Sequence, residues 1–176
     1  MGRGASVAVL AVALLVAGCG AGRAPATTVP ATRAPSRAPA APVPTAEPSH
    51  LYDPNADARA DVQAALAKAK VDGKRVLLDI GADWCPDCHS LAADMEGPAG
   101  RALVEPAFHV VRIDVGMFDH NVDLVREYVD LQGIPTVVVL EPSGVMVGAS
   151  TGTSSLANAR VMTEAQVLAE LAAWVK

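Results

Sequence analysis

Residues 76–89 read Val-Leu-Leu-Asp-Ile-Gly-Ala-Asp-Trp-Cys-Pro-Asp-Cys-His. An apolar run is followed by a break and by two cysteines two residues apart, which predicts a buried strand leading into a helix with both thiols in its first turn. Pro86 suits the first helical position, where its missing N–H costs nothing. Free N–H groups at a helix N-terminus stabilise a thiolate at Cys85. We therefore expect Cys85 to be the attacking sulfur and Cys88 the resolving one.

Two motifs carry a family resemblance. Trp84-Cys85-Pro86-Asp87-Cys88 behind an apolar strand resembles the active site of the thioredoxin superfamily, and Gly133-Ile134-Pro135-Thr136 resembles that superfamily's cis-proline loop. The resemblance implies a cis bond between Ile134 and Pro135, packed opposite Cys85. The alternative is a trans proline at the start of an edge strand. Because Pro135 has no N–H, the Ile134 backbone is free to pair with an extended substrate segment. With Trp84 covering the substrate, these residues form the expected substrate groove.

Asp79 is the third candidate site residue. It lies in a run that should be buried, six residues before Cys85. A buried carboxylate without a partner is costly and tends to stay protonated. In thioredoxin-like proteins the matching aspartate exchanges a proton with the second cysteine, so the resemblance implies that Asp79 deprotonates Cys88. The alternative is a half-exposed aspartate at a strand edge.

The chain also departs from thioredoxins proper. They usually carry an aromatic residue where this chain has Gly81, and Gly-Pro where it has Pro86-Asp87. The lysine that they carry near the buried aspartate corresponds here to about Val110. These differences argue against a general-reductase role.

The order of predicted elements from Asp57 to the helix that opens at Thr163 is α, β, α, β, α, β, β, α. Two β–α–β units predict parallel strands with right-handed crossovers, and a hairpin closes the sheet. The third helix is expected over residues 121–130, with Asn121 as its cap. Met117 and Phe118 before it are expected to pack in the core, and the alternative is an apolar lip near the site. This order resembles the α/β thioredoxin fold, a central mixed four-stranded sheet flanked by helices.

The start of the chain has the pattern of an export signal. Arg3 precedes an apolar stretch over residues 7–17, which has the length of a signal-peptide core and is too short to span a bilayer. The sequence Val16-Ala17-Gly18-Cys19 resembles a bacterial lipobox, which implies cleavage before Cys19 and lipidation of its thiol. The alternative is an ordinary secretory signal with Cys19 as a spare thiol.

The residues that follow are rich in proline and alanine and lack the apolar residues of a core. We therefore expect a signal peptide over residues 1–18, a lipidated cysteine with a linker over residues 19–49, and a thioredoxin-like domain over residues 50–176. In extended proline-rich geometry the linker reaches up to roughly 90 Å.

Charge narrows the range of partners. From residue 50 on, ten Lys and Arg face eighteen Asp and Glu, a net charge of −8. An acidic surface argues against nucleic-acid binding. We expect a monomer that needs no cofactor.

Exported cysteine pairs are either structural or redox-active. A ring closed over two intervening residues removes little unfolded-state entropy, which favours redox chemistry. We therefore predict a thiol–disulfide oxidoreductase that is lipid-anchored to the cell membrane and faces outside the cytoplasm. Its expected partners are exported proteins with disulfides or dithiols and a membrane thiol electron donor or acceptor. The charge of Asp87 opposes a thiolate at Cys85, which favours a reductase or isomerase over a strong oxidase.

Three other functions fit parts of the pattern. Cys85-Pro86-Asp87-Cys88-His89 matches the c-type haem attachment motif, although it follows a buried strand. A metal site could combine the two cysteines with His89, His109 or His120. A redox-silent substrate-binding module would keep its function without either thiol.

Overall fold

A computed structural model describes residues 50–175. The predicted signal peptide, Cys19 and the linker lie outside this range. None of the helices within it is both long and apolar enough to cross a membrane.

Helices and strands alternate along the described chain. In order they are α1 (Ala58–Asp72), β1 (Arg75–Gly81), α2 (Pro86–Glu96), α3 (Pro98–Ala107), β2 (Phe108–Asp114), α4 (Val122–Arg126), β3 (Thr136–Leu140), β4 (Met146–Ser150), a kinked 3₁₀ segment (Ser155–Val161) and α5 (Glu164–Ala172). The 3₁₀ segment was not predicted from the sequence.

The strands of this region form one mixed sheet in the order β2-β1-β3-β4. The central strand β1 pairs parallel with β2 and antiparallel with β3, and β3 and β4 form the predicted hairpin. The fold class is confirmed: the protein has the mixed four-stranded sheet of the thioredoxin fold, flanked by helices.

The prediction of a second parallel crossover is wrong. The helix before β3 has only five residues and is therefore about 8 Å long, whereas the seven-residue β2 extends over about 23 Å. The helix cannot carry the chain back along the sheet. The chain re-enters at the edge where β1 ends, with Thr136 paired to Ile80, so β3 runs antiparallel.

Local signals place most helix ends correctly. Asp57 caps α1 by accepting a hydrogen bond from the Ala60 N–H at 3.0 Å, and Thr163 opens α5 with a capping box. Asn121 occupies the predicted N-cap position of α4, but its side chain makes no capping hydrogen bond. Its φ is +49°, and its side-chain amide instead donates to the Asp114 carbonyl at 2.9 Å. The left-handed backbone turns this side chain back toward the end of β2.

Both faces of β1 are buried, which explains its unbroken apolar run. Val76, Leu78 and Ile80 pack with α1 and α4 on one face. Leu77 packs with α2, α3 and α5 on the other. Because strand side chains alternate, Asp79 shares the face of Leu77. β1 thus delivers a carboxylate into the interior just before the chain turns into the cysteine-bearing helix.

Candidate active site

A disulfide joins Cys85 and Cys88 at the N-terminus of α2, with their Cα atoms 5.3 Å apart. Cys85 is the N-cap residue, and its Sγ accepts a hydrogen bond from the Cys88 N–H at 3.2 Å, while Pro86 occupies the first turn. Cys88 is fully buried and Cys85 keeps 3% of its surface exposed. Of the two cysteines only Cys85 keeps any exposed surface, which favours the predicted division of roles.

The proline loop lies against the disulfide. The Ile134–Pro135 peptide bond is cis, as the resemblance implied. Ile134 packs against the cluster that contains both cysteines. The Thr136 hydroxyl donates to the Gly133 carbonyl at 2.8 Å and fixes the start of β3 to the loop. The structure thus brings Ile134, Pro135 and the cysteine pair together.

Trp84, Met117 and Phe118 form an exposed apolar lip beside the cysteines. They are 50%, 70% and 44% exposed, and the ring centroids of Trp84 and Phe118 lie 6.2 Å apart. The Trp84 Nε1–H donates to the Gly116 carbonyl at 2.8 Å, which ties the two segments together. The expectation that Met117 and Phe118 pack in the core is therefore wrong, and the two side chains follow the alternative of an apolar lip.

The loop after β2 holds these side chains outward. The Asp114 carboxylate accepts from the Gly116 N–H at 3.1 Å, and the Asp119 carboxylate accepts from the Met117 N–H at 2.9 Å. Gly116 and Phe118 have φ values of +53° and +66°. This tight loop turns its apolar side chains away from the sheet.

Asp79 is completely buried, which excludes the strand-edge alternative. Its Oδ1 accepts a hydrogen bond from the Tyr52 hydroxyl at 2.9 Å, and its Oδ2 lies 3.5 Å from the Arg112 Nε. Burial raises the pKa of Asp79 to about 6, although Arg112 and the Tyr52 hydrogen bond act to lower it. A carboxyl with this pKa can both take and return a proton near neutrality.

A cation does lie beside Asp79, although Val110, the residue matched to the lysine of thioredoxins, carries no charge. Val110 pairs with Leu77, whereas Arg112 stands directly across the parallel ladder from Asp79. The Arg112 Nη2 also donates a hydrogen bond to Glu96 Oε1 on α2 at 2.7 Å. Arg112 is the only Lys or Arg in β2, so the strand register could have identified it.

Tyr52 is a site residue that sequence reasoning missed. It lies before α1, is fully buried, and packs in one cluster with Cys85 and Cys88. A Cβ on Gly81 would stand 2.5 Å from the Tyr52 ring, so the glycine leaves room for this aromatic side chain. Burial, reinforced by the nearby Asp79, raises the pKa of Tyr52 well above its usual range, and Tyr52 stays a neutral donor.

Asp83 fastens residues 50–52, which we call the N-terminal strap, to the site. The Tyr52 N–H donates to Asp83 Oδ1 at 3.0 Å, and the His50 Nδ1 lies 2.6 Å from Oδ2. Burial acts to raise the pKa of Asp83, but the hydrogen bonds from Tyr52 and His50 outweigh it and lower that pKa. The strap is therefore held by an ionised carboxylate.

Asp87, between the two cysteines, has a cationic neighbour from the 3₁₀ segment. Its Oδ1 accepts from the Arg160 N–H at 3.1 Å, and the Arg160 Nε lies 3.5 Å from its Oδ2. The positive charge of Arg160 offsets part of the negative charge that Asp87 places beside Cys85. No local pattern in the sequence indicates a contact between residues 73 positions apart.

The histidines considered for a metal site have separate partners. His89 donates to the Asp83 carbonyl at 2.7 Å. His109 lies 2.9 Å from Asp72, and His120 lies 3.3 Å from Asp114. Within residues 50–175, no three His, Cys, Asp or Glu side chains are grouped closely enough to hold a metal ion.

Several known proteins are similar to this chain in sequence and in structure. A family model described as thioredoxin-like matches residues 57–142. The crystal structure of a disulphide isomerase from Xylella fastidiosa Temecula1 is similar, with 39% identity, a TM-score of 0.68, and coverage of 71% of this chain and 96% of that one.

A second similar protein is thiol:disulfide interchange protein DsbD 1 of Pseudomonas aeruginosa, at 33% identity over 86 residues. The match covers 48% of this chain and only 14% of that protein. The solved Xylella structure, in contrast, is matched over nearly its whole length. The chain therefore belongs to the thioredoxin-like family, and its Cys85–Cys88 pair makes it a thiol–disulfide oxidoreductase.

Proposed function

We propose that this oxidoreductase acts outside the cytoplasm on the disulfides of exported proteins, held to the membrane by a lipid on Cys19, and runs in the reducing or isomerising direction. The observation that carries the chemistry is the Cys85–Cys88 disulfide at the start of α2, flanked by the apolar lip and by Ile134. The predicted signal peptide over residues 1–18 supports the location.

The reaction begins at Cys85. Its thiolate, stabilised at the helix N-terminus, attacks one sulfur of a substrate disulfide. A Cys85–substrate bond forms, the substrate disulfide breaks, and the second substrate sulfur leaves as a thiolate. Trp84, Ile134 and Pro135 line the groove in which the substrate backbone lies.

Cys88 completes the reaction. Asp79 takes the proton of the Cys88 thiol, and the resulting thiolate attacks the Cys85 sulfur. The mixed disulfide breaks, the Cys85–Cys88 disulfide forms, and the substrate sulfur that was bound to Cys85 leaves as a thiolate. The two substrate thiolates take protons from the solvent, and Asp79 returns its proton to the solvent. Because the pKa of Asp79 is about 6, this carboxyl is ionised enough to accept the proton at pH 7 and basic enough to hold it.

Direction depends on how strongly the site stabilises the Cys85 thiolate. Asp87 opposes the thiolate, and Arg160 offsets part of that opposition. The similar proteins, a disulphide isomerase and a thiol:disulfide interchange protein, support exchange between protein thiols. A membrane thiol donor re-reduces the pair after each turnover in this proposal.

The reduction potential tests the direction. We would measure it in defined thiol–disulfide buffers, on the full chain carrying Cys19→Ser, so that only the two site cysteines remain. We expect a value nearer to about −270 mV, as in thioredoxin, than to about −120 mV, as in DsbA. Asp87→His should raise the potential. A value near the DsbA end, or no rise in this variant, would refute the reasoning from Asp87.

Location has its own test. The wild-type chain, expressed in a bacterium that processes lipoproteins, should incorporate labelled palmitate and partition with membranes. The matched Cys19→Ser chain should do neither. Equal labelling of both chains would remove the lipid anchor from the proposal and leave the oxidoreductase chemistry untouched.

A further inference from the structure

Tyr52 lies outside every helix and strand, yet it is among the most buried side chains of the described domain. Its ring packs against the cysteine pair and its hydroxyl points at Asp79. Its backbone N–H is anchored on Asp83. A segment that only preceded the domain would need none of these contacts, because the ring, hydroxyl and backbone are each fixed to a different part of the site.

Among the groups around the Asp79 carboxylate, the Tyr52 hydroxyl is distinguished by the hydrogen bond that it donates. Tyr52 from the strap, Arg112 from β2 and Glu96 from α2 are the titratable or charged groups that act on it. Arg112 Nε stands 3.5 Å from Oδ2, and within residues 50–175 neither of these two atoms makes a hydrogen bond. The Tyr52 hydroxyl is therefore the hydrogen-bond donor that fixes the carboxylate plane.

We infer that Tyr52 is a positioning residue for the resolving step, so that the N-terminal strap forms part of the active site. This inference rests on the proposed role of Asp79 as the proton acceptor for Cys88. Tyr52 donates to Oδ1, while Oδ2 accepts no hydrogen bond within residues 50–175. No bond to Tyr52 is made or broken, because the proton moves from the Cys88 sulfur to Asp79.

The hydroxyl also affects how easily Asp79 ionises. It donates to the carboxylate and so favours the charged form of Asp79. When the donor is removed, the carboxylate loses that stabilisation while the desolvation by burial remains. Asp79 then holds its proton to higher pH and is ionised in a smaller fraction of molecules near neutrality, so fewer molecules can deprotonate Cys88.

A two-phase reaction separates the two cysteines. The reduced full chain carrying Cys19→Ser is mixed with 5,5′-dithiobis(2-nitrobenzoate) in a stopped-flow instrument. The first coloured thiolate is released when Cys85 attacks, and the second when Cys88 resolves the adduct. In Tyr52→Phe we expect the pH midpoint of the second phase to rise by about 1 unit. We expect the rate of the first phase to change by less than about twofold.

The chain offers a matched control, because its only other tyrosine is Tyr128. Tyr128 is partly buried and packs against the core that α1 and α4 form with β1, not in the cluster of the cysteines. Tyr128→Phe should leave both phases unchanged. An unshifted second phase in Tyr52→Phe overturns the inference. If Tyr52→Phe fails to fold, Asp83→Ala loosens the strap without touching the ring, and the same upward shift is expected from it. No shift in Asp83→Ala likewise overturns the inference.

Asp79→Asn distinguishes this inference from the function that it rests on. If Asp79→Asn leaves the second phase unchanged, the proposed role of Asp79 falls, and the inference falls with it. If Asp79→Asn slows that phase and Tyr52→Phe does not shift it, only the inference about Tyr52 fails. In the double variant, Tyr52→Phe should add no further shift, because the group that it positions is absent.

Discussion

Asp79→Asn should stabilise the oxidised protein at neutral pH while it impairs the proposed chemistry. The variant replaces a buried carboxyl with a neutral amide of similar size. Arg112 does not become an isolated charge, because it retains its 2.7 Å contact with Glu96. The main change is that the folded protein no longer has to bury an ionised Asp79.

The magnitude follows from the pKa. Burial raises the pKa of Asp79 from 3.8 to about 6, a difference of about 2 units. At about 1.4 kcal/mol per unit, ionising Asp79 in the folded state costs about 3 kcal/mol more than in the unfolded state. This is a large fraction of the stability of a domain of this size.

The sign of the pH dependence is fixed by the same shift. The folded protein binds the Asp79 proton more tightly than the unfolded chain does. The resulting stability is fully present below the unfolded pKa, near 3.8. It is lost as the pH rises through about 6. An asparagine is neutral throughout, so the advantage of the variant should grow from near zero below pH 4 to about 3 kcal/mol at pH 8.

Urea unfolding of the oxidised full chain at pH 4, 6 and 8 measures this difference. Asp61→Asn, which removes an exposed carboxylate of α1, is the matched control and should show no comparable trend. In the same variant of Asp79, resolution by Cys88 should slow roughly 10²-fold. A stability difference that stays flat or shrinks as the pH rises would refute the reasoning, because attraction to Arg112 would then outweigh the desolvation.

Three further changes probe the rest of the site. Gly152→Ala places a Cβ 2.0 Å from the Gly133 backbone, which displaces the proline loop; protein-disulfide reduction should fall roughly tenfold, and an equal loss with a small disulfide would contradict a groove defect. Arg160→Gln removes the cation beside Asp87, so that the carboxylate opposes the Cys85 thiolate more strongly. The reduction potential should fall by about 10–30 mV in glutathione buffers; a rise would contradict this. Phe118→Ala should raise the KM for a protein substrate severalfold and leave kcat unchanged; an altered kcat alone would argue against a binding role.

Local chemistry allowed much of the site to be predicted. Pro86 after Cys85 places the first thiol at a helix N-terminus whatever packs around it, and the capping box at Thr163 opens the last helix. The unbroken apolar run of β1 predicted burial on both faces and favoured burial of Asp79 with it. These signals involve neighbours within a turn or a strand, so they are complete in the sequence itself.

The direction of β3 needed the tertiary structure. Its run of five buried residues has the same pattern in a parallel or an antiparallel strand. What decided between them was the length of α4, which ends at Arg126, whereas the third helix was predicted to run to Asp130. A sequence pattern predicts the end of a helix less reliably than its existence. Here α4 ends a few residues earlier than predicted, and β3 runs antiparallel to β1 instead of parallel.

The partners of the charged groups also depended on the tertiary structure. Tyr52 reaches Asp79 across 27 residues, and Arg160 reaches Asp87 across 73. Such contacts depend on strand register, on the space left by Gly81, and on where a 3₁₀ segment lies, none of which is encoded in neighbouring residues. The sequence alone determined that the cysteine pair lies at a helix N-terminus behind a buried strand. Only the fold decided which distant side chains surround it, because the free energy of a buried charge depends on groups brought near it in space.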